Sequence, residues 1–201
     1  RARLLKGVSY VVPDLAMDKF SYIPYSIPND AKYQGLRQYY LHNIKVDKAW
    51  NENIFGSQGN IDGTVVVIDS GLDISHPELI NRIDNLNKYS YSKNSNDVNE
   101  YNEDNSKTFH GTFVSGIIAA NTNNTKGIAG MSLDSVKILP IQIDEDLNAS
   151  FESFLKAIYY AKVLLETKAI TNRYLAINIT TGIQKKYVSS ENYKTTSDLL
   201  G

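Results

Sequence analysis

The sequence predicts an α/β fold of three layers, a mainly parallel sheet with helices on both faces, and three observations carry that expectation. Residues 64–68, Thr-Val-Val-Val-Ile, form an unbroken β-branched run without polar alternation, as in a strand covered on both faces. Two further apolar runs follow at residues 135–143 and 174–179. Between the runs lie stretches of helical spacing, so strands and helices alternate.

Taken in order, residues 8–12 read as a strand closed by Pro13-Asp14, and a Tyr- and Pro-containing linker extends from there to Asp30. The spacing of Leu36, Tyr39, Tyr40, Ile44, Val46, Ala49 and Trp50 predicts a loop leading into one short amphipathic helix that ends before Gly56. Ser75-His76-Pro77-Glu78 places a hydroxyl three residues before a Glu with Pro between, the signature of a helix start. Residues 87–107 are polar and aperiodic, which predicts a solvated insertion and the least ordered part of the chain. Residues 109–121 read as a helix with apolar Phe113, Val114, Ile117 and Ile118. Its Gly111 and Gly116 each cost about 1 kcal/mol relative to Ala, which argues for close approach by a neighbour. Ser150 caps a helix expected over residues 151–167.

Composition excludes several function classes. The chain has 201 residues, 42% hydrophobic and 21% charged, enough for a core without staples. A formal charge of -1 gives no electrostatic reason to bind nucleic acid. The absence of Cys removes thiol catalysis, thiolate zinc sites and disulfides. No apolar run approaches the roughly 20 residues that span a bilayer, so no membrane span is expected in this chain.

Functional groups in open α/β sheets gather at the carboxyl ends of strands, which makes Asp69, directly after the first apolar run, the first candidate. Alone it is equally an Asx turn before Gly71, or the phosphoacceptor of a receiver domain. His110, at the start of the predicted helix, is by itself either a surface residue or a general base.

The surroundings of the two residues carry more than either alone. Residues 65–79, VVVIDSGLDISHPEL, resemble the Asp motif of the subtilisin-like serine peptidases, and residues 110–120, HGTFVSGIIAA, resemble their His motif. Gly127-Ile128-Ala129-Gly130 and residues 176–182, AINITTG, resemble the next two landmarks in the same order.

The resemblance implies a subtilisin-like three-layer domain, incomplete here, with residues 30–201 its N-terminal part and residues 1–29 the end of a propeptide and a linker. It implies a serine endopeptidase with Asp69 and His110 as two members of an Asp/His/Ser triad. The nucleophilic Ser and the oxyanion Asn are expected downstream of this chain, since Ser189 and Ser190 lack the flanking Gly of a nucleophile motif. Thr180, Thr181 and Gly182 correspond to backbone that pairs with substrate, and Asp144, at the head of Asp144-Glu145-Asp146, to the opposite wall of the cleft. Glu78, Asn121, Asn123 or its neighbour Asn124, and Ile128 correspond to the surroundings of a structural calcium ion, while the chemistry itself requires no cofactor. Partners would be a peptide or protein substrate, as for lantibiotic leader peptidases, and a propeptide, with the enzyme secreted or on a bacterial cell surface. The alternative reading is an inactive relative that binds peptide through the same cleft.

Overall fold

The computed structural model describes residues 27–51, 63–100, 109–143, 149–172 and 174–180. The expected strand at residues 8–12, and Asp144, Thr181, Gly182, Ser189 and Ser190, lie outside the described residues. The elements run α1 (Ala31–Gln34), α2 (Tyr39–Asn43), α3 (Val46–Asn51), β1 (Gly63–Asp69), β2 (Tyr89–Ser90), α4 (His110–Ala119), β3 (Val136–Gln142), α5 (Phe151–Glu166) and β4 (Tyr174–Ile179).

The strands form one parallel sheet in the order β2-β3-β1-β4. β1 is interior because its β-branched side chains need cover on both sides. Val66 and Ile68 face Leu139 and Ile141 of β3 and Ala157, Ala161 and Leu164 of α5. Val67, on the opposite face, joins Leu72, Leu79, Ile83, Ala119 and Ile138, with Val114 and Ile118 of α4 packed against them. Successive side chains of one strand therefore feed two cores, and α5, sheet and α4 stack as the three layers the sequence predicts. α5 begins as expected, with Ser150 Oγ accepting the Ser153 N–H at 3.0 Å.

Three local expectations fail. The single helix before Gly56 is instead two, α2 and α3, because Lys45 adopts left-handed backbone (φ 61) between them, and a further short helix, α1, stands ahead of them, followed by left-handed Leu36 (φ 55). Tyr33, Leu41 and Trp50 still converge on Ala129 in a small core of their own. Ser75 caps no helix; its hydroxyl donates to Asp73 Oδ1 at 2.6 Å, the Glu78 N–H goes to His76 Nδ1 at 3.2 Å, and the segment is a chain of turns.

The polar stretch after Asn87 is also no loose insertion over residues 87–100. It adds β2 to the edge of β3, sets the Tyr89 ring edge-on to Tyr91 and tilted against Tyr160, and buries Val98 and Glu100. Its anchoring comes from tyrosine rings and single buried residues, which apolar periodicity does not register.

Candidate active site

Asp69 is the last residue of β1, and His110 the first of α4. The chain leaves β1 first toward β3 and returns later to place β4 on the other side, so the carboxyl end of β1 opens where connections diverge. There His110 Nδ1 lies 2.8 Å from Asp69 Oδ1. The Asp69 side chain is only 5% exposed while the His110 ring is 41% exposed, so a sheltered carboxylate backs an accessible imidazole.

The carboxylate is fully engaged. Oδ1 also accepts the Ser70 N–H at 2.8 Å, and Oδ2 accepts the Thr180 hydroxyl, which reaches it from the end of β4. Burial pushes the Asp69 pKa upward, but the hydrogen bonds from Thr180, His110 and the Ser70 N–H, with the charge of His110, outweigh it and hold the group below its ordinary value of 3.8. The result is an anion fixed against one edge of an imidazole, an arrangement that selects the tautomer with its proton on Nδ1 and leaves Nε2 as the basic nitrogen.

The approach of α4 to β1 depends on glycine. A Cβ on Gly111 would sit 2.1 Å from Gly71 O and 3.2 Å from Asp69 Cβ, so only Gly lets the helix start abut the strand exit. Gly71, at φ +121, would place a Cβ 2.7 Å from Val98 O. The close approach inferred for Gly111 is real; at Gly116 a Cβ would meet Ile128 at an ordinary 3.5 Å.

The structure sorts the remaining candidates. Thr180 has its hydroxyl on Asp69, a side-chain role that the backbone expectation did not include. Glu78 is buried beneath the loop at residues 121–128, with Oε2 accepting from Asn124 Nδ2 at 2.9 Å and its backbone O accepting the Asn121 N–H at 2.8 Å. Asn121 itself turns away: its Oδ1 accepts from Arg82 Nε at 2.9 Å and its amide donates to Pro77 O at 3.1 Å. Asn123 Oδ1 accepts the Asn29 N–H at 3.2 Å. Ile128 stands beside Glu78 in the wall of a shallow groove. Among the described residues no group of three His, Cys, Asp or Glu is assembled to hold a metal.

Two buried carboxyl groups escaped sequence reasoning. Asp30, wholly buried, accepts the Asn123 N–H at 2.9 Å and docks the start of the described chain on the same loop. Glu100, 1% exposed, lies behind the Asp69–His110 pair. Neither has a local motif; both are brought in by contacts remote in sequence.

Comparison with known proteins adds the following. The family profile described as "Subtilase family" matches residues 62–198. The "Thermophilic serine proteinase" of Bacillus sp. (strain AK1) is 36% identical over 135 residues, 67% of this chain and 30% of that protein. The "Major intracellular serine protease" of Bacillus subtilis (strain 168) is 36% identical over 121 residues, 59% of this chain and 34% of that protein. The "Halolysin-like extracellular serine protease Nep" of Natrialba magadii is 32% identical over 120 residues, 59% of this chain and 21% of that protein. Among solved structures, that of the Aeromonas sobria serine protease in complex with its chaperone superposes with a TM-score of 0.52 at 27% identity, covering 72% of this chain and 22% of that one. The chain thus spans about a third or less of the length of these relatives.

Proposed function

Since the chain belongs to the subtilase family, we propose that it is part of a serine endopeptidase in which His110 is the general base and Asp69 the carboxylate that orients it. The observation that carries the reading is the 2.8 Å contact between His110 Nδ1 and a buried, low-pKa Asp69. A serine hydroxyl is a weak nucleophile until an imidazole takes its proton, and the imidazolium so formed is stabilised by a fixed carboxylate. Nε2 of His110 receives that proton and later returns it to the leaving amine. The serine and the oxyanion donors come from outside the described residues. The substrate is an extended peptide or protein segment lying along the chain after β4, from Thr180 through Thr181 and Gly182, with Asp144 on the facing wall. Processing of a leader peptide outside the cytoplasm is the substrate role and location that we assign to it.

The test is labelling of the full-length protein with a fluorophosphonate probe. Wild type is expected to label, and His110→Ala to lose the label while remaining folded. A folded wild type that takes no label overturns the reading in favour of an inactive relative that binds peptide.

The loop around Glu78 fits a structural calcium ion as part of the same proposal. A Cβ on Gly127, which has φ +33, would fall 2.4 Å from Glu78 Oε1, so the loop is shaped to leave that carboxylate room. Burial raises the Glu78 pKa, the hydrogen bond from Asn124 opposes this, and the charge of Asp30 raises it further. Two carboxyls that repel each other among amide and backbone oxygens are the hard-donor setting calcium takes. Glu78 and Asp30, with oxygens of the Asn123–Asn124 turn, would hold the ion, which would tie the N-terminal segment to the loop and take no part in the chemistry. Millimolar calcium is expected to raise the thermal midpoint over that in chelator, and Glu78→Ala to abolish the difference. Equal midpoints in both buffers would remove calcium from the account.

A further inference from the structure

We propose that Glu100 is a positioning residue for the Asp69–His110 pair, its buried carboxylate clamping the end of β1 to the first turn of α4. The proposal rests on the reading of Asp69 and His110 as the catalytic pair.

The start of α4 carries no cap of its own. α4 is ten residues long, its first N–H groups have no partners within the helix, and Phe109, at its N-cap, offers no side-chain acceptor. Two groups remote in sequence supply the acceptors. Ser70 Oγ accepts the Gly111 N–H at 3.0 Å, and Glu100 Oε2 accepts the Thr112 N–H at 3.1 Å. Glu100 is thus a cap supplied from another segment, and its negative charge lies where the helix dipole favours it.

The same carboxylate reaches the strand. Oε1 accepts the Ser70 hydroxyl, while Oε2 also accepts the Thr112 hydroxyl at 2.7 Å. Thr112 Oγ1 in turn accepts the Asp73 N–H at 2.7 Å, and the Glu100 backbone N–H donates to Leu72 O at 3.1 Å. Residues 70–73 and 110–112 therefore meet on one side chain. These segments immediately follow or contain Asp69 and His110, so Glu100 adds a second tie between them beside the Asp69 carboxylate, which accepts from Ser70 and His110.

Counting protons fixes the direction of the network. Ser70 Oγ lies 3.1 Å from Asp69 Oδ1 as well, but a hydroxyl has one proton. Asp69 Oδ1 already receives the Ser70 N–H and His110 Nδ1–H, so the Ser70 proton goes to Glu100. Without an acceptor at residue 100 that proton turns to Asp69, the half-buried Thr112 N–H loses its partner, and the helix start carrying His110 loses its cap.

The test uses the full-length protein with Glu100→Leu, Glu100→Gln and Thr112→Val, and reads two quantities. One is the rate of fluorophosphonate labelling; the other is the NMR resonance of the His110 Nδ1 proton, which reports the imidazole–carboxylate hydrogen bond whether or not the protein is active. Glu100→Leu is expected to lower the labelling rate roughly 10- to 100-fold, the scale of a small misplacement of a catalytic group, and to shift or broaden the proton signal. Glu100→Gln keeps an oxygen for Thr112 but offers Ser70 an amide that cannot accept its proton, so it is expected to lose less of the rate than Glu100→Leu while still shifting the proton signal as the Ser70 hydroxyl turns to Asp69. Thr112→Val falls between. The proposal is overturned if Glu100→Leu keeps the wild-type signal, or if losses track only the folded fraction in all three variants. A wild type that never labels counts against the function proposed above, while the proton signal still decides the role of Glu100.

Discussion

Asp69→Asn in the full-length protein is expected to lower kcat/KM on an unfolded protein substrate by up to about 10,000-fold, the scale of losing the carboxylate alone from a serine triad. The geometry says how. The Ser70 N–H points at the Oδ1 position and cannot rotate away, so the Asn oxygen must take that position and its NH2 must face Thr180. Thr180 can rotate and accept. His110 Nδ1 therefore keeps an acceptor and the same tautomer, and what is lost is the negative charge that stabilises the imidazolium. A folded variant that hydrolyses within tenfold of wild type would remove Asp69 from the mechanism.

Asp69 also gives stability a defined pH dependence. Its folded pKa is depressed below the ordinary 3.8, so the native state binds this proton less readily than the unfolded chain. The contribution to stability is complete above the unfolded value and is lost as pH falls from there through the folded value. Asp69→Asn should flatten the acid limb of a denaturation profile below about pH 4, the unfolded range for Asp.

Much of the frame was legible because short-range pattern and long-range packing agree there. β1, β3 and β4 are mostly apolar runs, and α5 combines a Ser cap with helical spacing, so each element is specified by its own residues. Asp69 and His110 were legible only through the long motifs around them, residues 65–79 and 110–120, within which Gly71 and Gly111 make the close backbone approach that brings the two side chains together. What the sequence hid follows a different rule. Glu100 lies in a polar stretch where nothing distinguishes it from Asn99, and its burial is decided by Leu72, Ser70 and Thr112. The Ser75 motif fails for a related reason: Asp73 competes for its hydroxyl at two residues' distance, and Glu78 is drawn to the loop at residues 121–128. Local hydrogen-bond partners decide between a cap and a turn, and composition does not rank them.

Gly111→Ala is the substitution expected to damage the fold most for the smallest change in volume. In an exposed helix interior, exchanging Gly for Ala gains up to about 1 kcal/mol through the entropy of the unfolded chain. Here the new Cβ would stand 2.1 Å from a backbone oxygen of Gly71 and 3.2 Å from Asp69 Cβ. Backbone cannot swing aside as a side-chain tip can, and the chain on either side of Gly71 is held by hydrogen bonds from Gln142 Nε2 to Ser70 O at 2.7 Å and from the Leu72 N–H to Val98 O at 2.9 Å. α4 must therefore back away from β1, which breaks the Gly111 N–H bond to Ser70 and lengthens the His110–Asp69 contact. A destabilisation of about 3 kcal/mol, the upper end for overpacking, is expected from urea unfolding, together with loss of labelling in the fraction that folds. Gly116→Ala in the same helix is the control. Its Cβ would meet only Ile128 at 3.5 Å, so it should be neutral or stabilising. Equal stability of the two variants would mean that α4 does not rest on Gly71, and the glycine-dependent junction that brings His110 to Asp69 would have to be abandoned.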